Sequence, residues 1–194
     1  HIVRLYECYE TDVSMDLILE LMEGGDLHDA YYKTPDKFTE AKVCELICQL
    51  VSAVAYCHGL GITHRDIKPA NIIIGQFGEV YVLDCGLAKI QGTQSLTEPT
   101  VLDTEKKDTT LTPVGRHYGT PMYMPPEIAR GESDLDGRTD VFSLGIILFE
   151  MMTLKFFVEG EDPYEIKKLI LDRPIPLPRE VAPHKNLPRD LQAI

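Results

Sequence analysis

The sequence is short of basic residues and has no long uninterrupted apolar run. Lys and Arg number 19 against 31 Asp and Glu, which gives a formal net charge of -12 over 194 residues. Such a surface is repelled by nucleic-acid phosphates and anionic lipid heads, so we expect no nucleic-acid partner. The longest apolar stretch, 141–152, contains Ser143 and Glu150 and is too short to cross a bilayer. We therefore expect no membrane insertion of this segment.

Cysteine spacings typical of metal or redox motifs are also missing. The five cysteines are odd in number and include no Cys-x-x-Cys pattern, which disfavours a disulfide framework. Cys44 and Cys48 fall on one face of a predicted helix, so we expect buried free thiols. No secretory signal pattern opens the sequence. Together these features predict a cytoplasmic location.

The hydrophobic pattern predicts an α+β fold in which helices predominate. A long helix is expected after the N-cap Thr39, ending at Gly59. Two β-hairpins are expected, one formed by 2–9 and 15–21 and a smaller one by 72–74 and 80–83. Further helices are expected at 126–130, 140–152 and 162–171, with another starting near Arg189. Between 90 and 116 no periodicity survives, which is typical of a long functional or disordered loop.

One segment concentrates chemically active side chains. From position 64 to position 71 the chain reads His-Arg-Asp-Ile-Lys-Pro-Ala-Asn, and thirteen residues later it reads Asp-Cys-Gly. Asp66 can orient an attacking hydroxyl and accept its proton, while Lys68 can offset charge on a phosphoryl group. Asn71 and Asp84 offer the oxygen ligands that Mg²⁺ prefers. The spacing therefore favours metal-assisted phosphoryl transfer.

This segment resembles the catalytic loop of the eukaryotic-type protein kinases, and the resemblance covers essentially the whole chain. Lys68, two residues after Asp66, fits the serine/threonine branch. Residues 119–127 resemble the substrate-binding loop and the Ala-Pro-Glu motif, and with the long insertion they are most like bacterial serine/threonine kinases. The resemblance implies a protein-kinase-like fold. Residues 1–22 would be an N-lobe remnant and residues 23–194 a truncated, mostly helical C-lobe.

The resemblance also implies roles for the matching residues. ATP and Mg²⁺ would be the cofactors, and serine or threonine hydroxyls of proteins the acceptors. Asp66 would act as the base. The catalytic group would be Asp66, Lys68, Asn71 and Thr120, with Thr120 hydrogen-bonding Asp66 and Lys68; the metal ligands would be Asn71 and Asp84. The hinge would offer adenine its backbone, and the cofactor-binding residues would be Glu20, Met22, Asp26 and Ile73, with Leu19 as gatekeeper.

Further residues have expected supporting roles. Asp140 resembles the residue that anchors the catalytic-loop backbone, although a simple helix N-cap fits the same position. Arg65 is typical of kinases that neutralise this arginine by phosphorylation. Because 116–118 read Arg-His-Tyr where the regulatory threonine usually falls, the substitute candidates are Thr109, Thr110 and Thr112. Glu127 would pair with an arginine outside the 194 residues.

Several features of the kinase pattern are absent from residues 1–194. They contain no Gly-rich phosphate loop, no strand lysine of the Val-Ala-Ile-Lys type and no regulatory-helix glutamate. We therefore expect a fragment of a longer kinase that is inactive alone. Cys85 replaces the usual Phe, and we interpret it as a packing thiol rather than a redox group.

Other function classes compete with a kinase. A non-catalytic kinase-like scaffold stays open as an alternative, although it has no chemical need for the complete set of active residues. A hydrolase using His64 and Asp66 would need a nucleophile, and no Gly-x-Ser-x-Gly motif supplies one. A metal-dependent phosphatase would need more closely spaced ligands than the sequence contains.

Overall fold

The computed structural model describes residues 2–11, 14–83, 89–90, 121–132, 134–185 and 187–188. These residues form six short strands in three antiparallel pairs, together with six α-helices. The strands are β1 (Leu5–Glu10), β2 (Met15–Leu19), β3 (Ile62–Thr63), β4 (Ile72–Ile74), β5 (Val80–Val82) and β6 (Lys89–Ile90). The helices are α1 (Leu27–Lys33), α2 (Glu40–Gly59), α3 (Pro126–Ala129), α4 (Arg138–Thr153), α5 (Pro163–Asp172) and α6 (Pro178–Val181). The predicted α+β class, in which helices predominate, is thereby confirmed.

Both predicted hairpins are present. β1 pairs with β2 so that Leu5 faces Leu19, and β4 pairs with β5 so that Ile72 faces Val82. The two hairpins differ in burial, because Leu5 and Leu19 are 52% and 42% exposed while Ile72 is fully buried. The first hairpin therefore leaves apolar surface uncovered by any described residue, and the second belongs to the core.

The core is built around α2 and α4. Thr39 caps α2 by accepting a 3.3 Å hydrogen bond from the Lys42 amide, as predicted. The buried side of α2 packs against β5 and α4, and it consists of Val43, Leu46, Leu50, Ala53 and Val54. α4 is buried around most of its circumference, which agrees with its nearly continuous apolar sequence. None of the described helices is both long and apolar enough to span a membrane.

Several sequence predictions need correction. α1, α6 and the β3–β6 pair were not predicted. α6 lies within 173–188, a segment rich in proline, and Pro178 occupies its first helical position, where no amide hydrogen-bond partner is needed. The predicted burial of Cys44 and Cys48 is wrong, because both are exposed. They lie beside the apolar stripe of α2 rather than in it. The helix expected near Arg189 lies outside the described residues.

Candidate active site

The loop between β3 and β4 brings Asp66, Lys68 and Asn71 together. Lys68 Nζ lies 2.6 Å from Asp66 Oδ2. Asn71 Nδ2 donates to the same Oδ2 at 3.0 Å and to the Asp66 backbone carbonyl at 2.9 Å. One carboxylate oxygen of Asp66 is thus held by two donors, and no described residue hydrogen-bonds the other. An oriented carboxylate with one free oxygen can receive a proton from an incoming hydroxyl.

The amide of Asn71 is oriented by these contacts. Because Nδ2 donates twice to Asp66, the amide oxygen Oδ1 is left for another partner. Asn71 is 8% exposed and sits in a short 3₁₀ turn, Pro69–Asn71, that leads into β4. An oriented, nearly buried amide oxygen fits the donor chemistry of a Mg²⁺ ligand.

Asp140 fastens the backbone of this loop to the core. Its carboxylate is fully buried and accepts from the amides of His64 at 2.9 Å and Arg65 at 2.7 Å. His58 Nε2 lies 2.7 Å from it as well. The expected anchoring role is therefore seen. The alternative of a simple N-cap is wrong, since α4 begins at Arg138 and Gly137 holds the N-cap position.

Arg65 carries two signs of strain. Its φ of 70° lies in the left-handed region, which is costly for a residue with a side chain. Its Nε and Nη2 are buried and have no hydrogen-bond partner among the described residues. Burial lowers the pKa of the Arg65 guanidinium, and the nearby Asp140 charge opposes that shift. A half-buried cation with donors that no described residue uses is a ready site for an anion.

His64 connects the loop to the end of β5. Its Nε2 lies 3.0 Å from the Leu83 carbonyl, and its Nδ1 accepts from the Asp66 amide at 3.3 Å. The Leu83 amide in turn donates to the Asn71 carbonyl at 2.8 Å. Leu83 is therefore held on both sides beside Asn71. This set of bonds fixes His64 as a structural residue and leaves it no role as a hydrolytic base.

The predicted adenosine-binding residues lie on two connected segments. Asp26 and Ile73 form an antiparallel β-bridge, and the Ile74 amide donates to the Gly25 carbonyl at 3.1 Å. Gly24 allows this contact, because a Cβ there would fall 1.5 Å from the Ile74 carbonyl oxygen. The segment after β2 is thereby held against β4.

The backbone groups expected to meet adenine differ in availability. The Glu20 amide already donates to the Arg4 carbonyl at 2.8 Å, so only its carbonyl can serve. The Met22 amide makes no hydrogen bond to another described residue. The Asp26 carboxylate caps α1 through the Asp29 amide at 2.8 Å. One of its oxygens is therefore committed to the helix.

A second buried carboxylate was missed by sequence reasoning. Glu150, fully buried in α4, accepts hydrogen bonds from Tyr123 Oη at 2.7 Å and Tyr31 Oη at 2.9 Å. Burial raises the pKa of Glu150 to about 6, against the opposing effect of these donors and of the Phe157 amide. The only available signal was an isolated acid in an apolar helix. It links α1 and α4 to the 3₁₀ turn Pro121–Tyr123, which lies within the segment 119–127 that resembles the substrate-binding loop.

Some predicted residues cannot be placed. Asp84, Cys85, Thr120 and the candidate phosphosites Thr109, Thr110 and Thr112 lie outside the described residues. Glu127 is described, and it accepts a 3.2 Å hydrogen bond from Thr139 Oγ1. That bond joins α3 to α4 without the expected arginine.

Comparison with known proteins gives a consistent result. The family model described as protein kinase domain matches residues 1–193. Serine/threonine-protein kinase PknD of Chlamydia pneumoniae is 38% identical over 151 residues, covering 75% of this chain and 16% of that protein. PknD of Protochlamydia amoebophila is 40% identical over 147 residues, covering 75% and 15%. Sperm motility kinase Z of Mus musculus is 31% identical over 195 residues, covering 100% and 34%. The chain thus spans only a small part of each PknD protein, and the expected likeness to bacterial serine/threonine kinases is confirmed.

Proposed function

The chain belongs to the protein kinase family, and from this premise we propose that the protein transfers the γ-phosphoryl group of ATP to serine or threonine hydroxyls of proteins. The relatives from Chlamydia and Protochlamydia carry the name serine/threonine-protein kinase. Lys68, two residues after Asp66, is the residue of this chain that favours the same branch. We place the activity in the cytoplasm, with the free thiols of the described cysteines as support.

One observation carries this function: Asp66 is held through Oδ2 by Lys68 and Asn71, and no described residue bonds its other carboxylate oxygen. We assign that oxygen to the hydroxyl of the substrate, which it orients and whose proton it takes as the oxygen attacks the γ-phosphorus. Lys68, 2.6 Å from the other oxygen, offsets the negative charge that spreads over the transferring group. Positioning and charge stabilisation supply most of the rate in this reaction class.

We assign the nucleotide and the metal to separate residues. The Met22 amide, which no other described residue bonds, and the Glu20 carbonyl are the groups we assign to adenine, with Asp26 and Ile73 adjacent across their β-bridge. Asn71 Oδ1 and Asp84 would hold Mg²⁺, which when bound neutralises charge on the phosphate oxygens. Asn71 fits this role because its amide nitrogen is already committed to Asp66.

We further propose that the division of the chain follows the kinase lobes, 1–22 and 23–194. Every described hydrophobic residue that is buried lies at Leu27 or beyond. β1 is exposed along its whole length. The first hairpin is therefore attached to the core without being part of it.

Regulation by phosphorylation of Thr109, Thr110 or Thr112 is supported by Nε and Nη2 of Arg65, which no described residue bonds. A phosphate brings three acceptor oxygens and close to two negative charges, which match a half-buried guanidinium. Pairing would remove the cost of leaving these donors without partners.

The direct test is phosphoamino-acid analysis of proteins labelled by the full-length protein with Mg²⁺ and γ-labelled ATP. We expect label on serine and threonine. Label on tyrosine alone would refute the serine/threonine assignment, and absence of transfer from protein that binds Mg²⁺-ATP would favour the scaffold instead.

A further inference from the structure

Two exposed thiols lie side by side on α2. Cys44 and Cys48 are four residues apart, so at 3.6 residues per turn they occupy one face of this 20-residue helix. Cys57, nine residues after Cys48, points to the opposite side and is half-buried. α2 packs against β5 and α4, which gives the pair a rigid support.

The two thiols interact with each other. The pKa of the Cys44 thiol is raised, mainly by a hydrogen bond to the Cys48 thiol and to a smaller extent by the charge of the Cys48 thiolate. Glu40, one turn earlier, adds a weaker effect of the same sign. Two adjacent groups that resist ionising together lose that repulsion when a cation lies between them.

A disulfide does not fit this arrangement. Helical residues four apart hold their Cβ atoms about 5–6 Å apart, whereas a disulfide needs about 3.5–4.5 Å. A bridging metal ion is compatible, because two metal–sulfur bonds of about 2.3 Å each span the larger gap without unwinding the helix. The pair is therefore better suited to chelation than to oxidation.

The neighbouring side chains restrict the choice of metal. Ser52 donates its hydroxyl to the Cys48 carbonyl at 2.7 Å, and Glu45 is paired with Lys42 at 3.0 Å. Among the described residues, Cys44 and Cys48 belong to no group of three or more ligands able to hold one ion. Zn²⁺ requires four ligands in structural sites, which this face does not supply. Thiolates alone favour a soft cation such as Cu(I).

We propose that Cys44 and Cys48 form a surface dithiolate site on α2 that binds one soft, two-coordinate monovalent cation of the Cu(I) type. On binding, each thiol loses its proton and each sulfur bonds the ion. Two protons are released, and the bis-thiolate complex has a net charge of -1. The site is separate from the proposed kinase centre and does not depend on it.

The test is a titration of the reduced full-length protein with Cu(I) under anaerobic conditions, in competition with the chromophoric chelator bicinchoninate. Cys44→Ala and Cys48→Ala are the test variants, and Cys57→Ala is the matched control on the other face of the helix. We expect each test substitution to remove one bound ion or to lower the affinity for it roughly 10²–10⁴-fold, which is the gain in affinity that a second intramolecular contact typically gives. The control should bind like wild type.

Further readouts make the result decisive. X-ray absorption should show two sulfur atoms and no other near neighbour around each copper ion. The affinity for Cu(I) should fall as the pH is lowered, with a slope that corresponds to two protons released per ion bound. Wild-type binding by Cys44→Ala or Cys48→Ala would overturn the site. Tighter binding of Zn²⁺ than of Cu(I) by the same two thiols would overturn the assigned metal class. The helical circular dichroism signal of each variant separates loss of metal binding from unfolding. Cys44→Ser and Cys48→Ser replace the alanine variants if those do not fold.

Discussion

The Asp140 carboxylate accepts a 2.7 Å hydrogen bond from the amide of Arg65, a residue held at a φ of 70°. A left-handed backbone at a non-glycine residue persists only where its surroundings hold it there. Here the restraint comes from a buried acid on α4, 75 residues away in sequence. The loop 64–71 thus takes its shape from the core and not from local preference.

Asp140→Ala should therefore destabilise the protein by about 2–5 kcal/mol, because it leaves the His64 and Arg65 amides without their acceptor. Urea unfolding measures this loss. The exposed Asp172→Asn is the control and should change stability little. A fold as stable in Asp140→Ala as in wild type would mean that the loop does not need this anchor.

Glu150 should make stability depend on pH. Burial raises the pKa of Glu150 from its usual value near 4.5 to about 6. The folded state then binds the proton more tightly than the unfolded chain, so the contribution of Glu150 to stability is fully present below pH 4.5. This contribution, about 2 kcal/mol, should be lost as the pH rises through about 6.

Glu150→Gln keeps an oxygen for the tyrosines but does not titrate. Denaturant unfolding between pH 4.5 and 6.5 measures how the free energy of unfolding changes with pH. The variant should lack the decrease that Glu150 causes in wild type. Glu132→Gln, which changes an exposed acid, should retain it. Equal slopes in wild type and Glu150→Gln would show that the carboxylate is already ionised throughout this range.

Asp84→Ala should abolish the part of nucleotide binding that depends on Mg²⁺. Calorimetric titration of the full-length protein with a non-hydrolysable ATP analogue, with and without Mg²⁺, separates this part from adenine binding. Affinity without Mg²⁺ should be unchanged, because the hinge is intact. A variant that keeps the full effect of Mg²⁺ would exclude Asp84 as a ligand.

Arg65 and the loop threonines should behave as one unit. If phosphate pairs with the guanidinium, Arg65→Gln and the triple change of Thr109, Thr110 and Thr112 to Ala should each lower turnover. Combining them should cause little further loss, because both remove the same interaction. Additive losses in this double-mutant cycle would separate the threonines from Arg65.

The sequence predicted local features better than distant contacts. Thr39 and the apolar residues after it indicate α2 directly, because capping and helical period are read from neighbouring residues. The spacing of Asp66, Lys68 and Asn71 likewise placed them in one loop.

Contacts between distant segments could not be predicted in this way. Tyr31 and Glu150 are 119 residues apart, and no periodicity shows that they meet. Cys44 and Cys48 show another limit, because a shared helical face does not reveal whether that face is buried. Their exposure depends on where β5 and α4 pack against α2.

Turnover by Asp66→Asn tests the proposed kinase chemistry most directly. The change keeps the size of the side chain and the fold while removing the base. In the full-length protein, phosphate transfer from Mg²⁺-ATP to protein serine and threonine should fall by roughly 10²–10⁴, with nucleotide affinity unchanged. Asp36→Asn, an exposed acid outside the loop, should transfer phosphate like wild type. Wild-type turnover by Asp66→Asn would contradict the assignment of this loop as the catalytic centre.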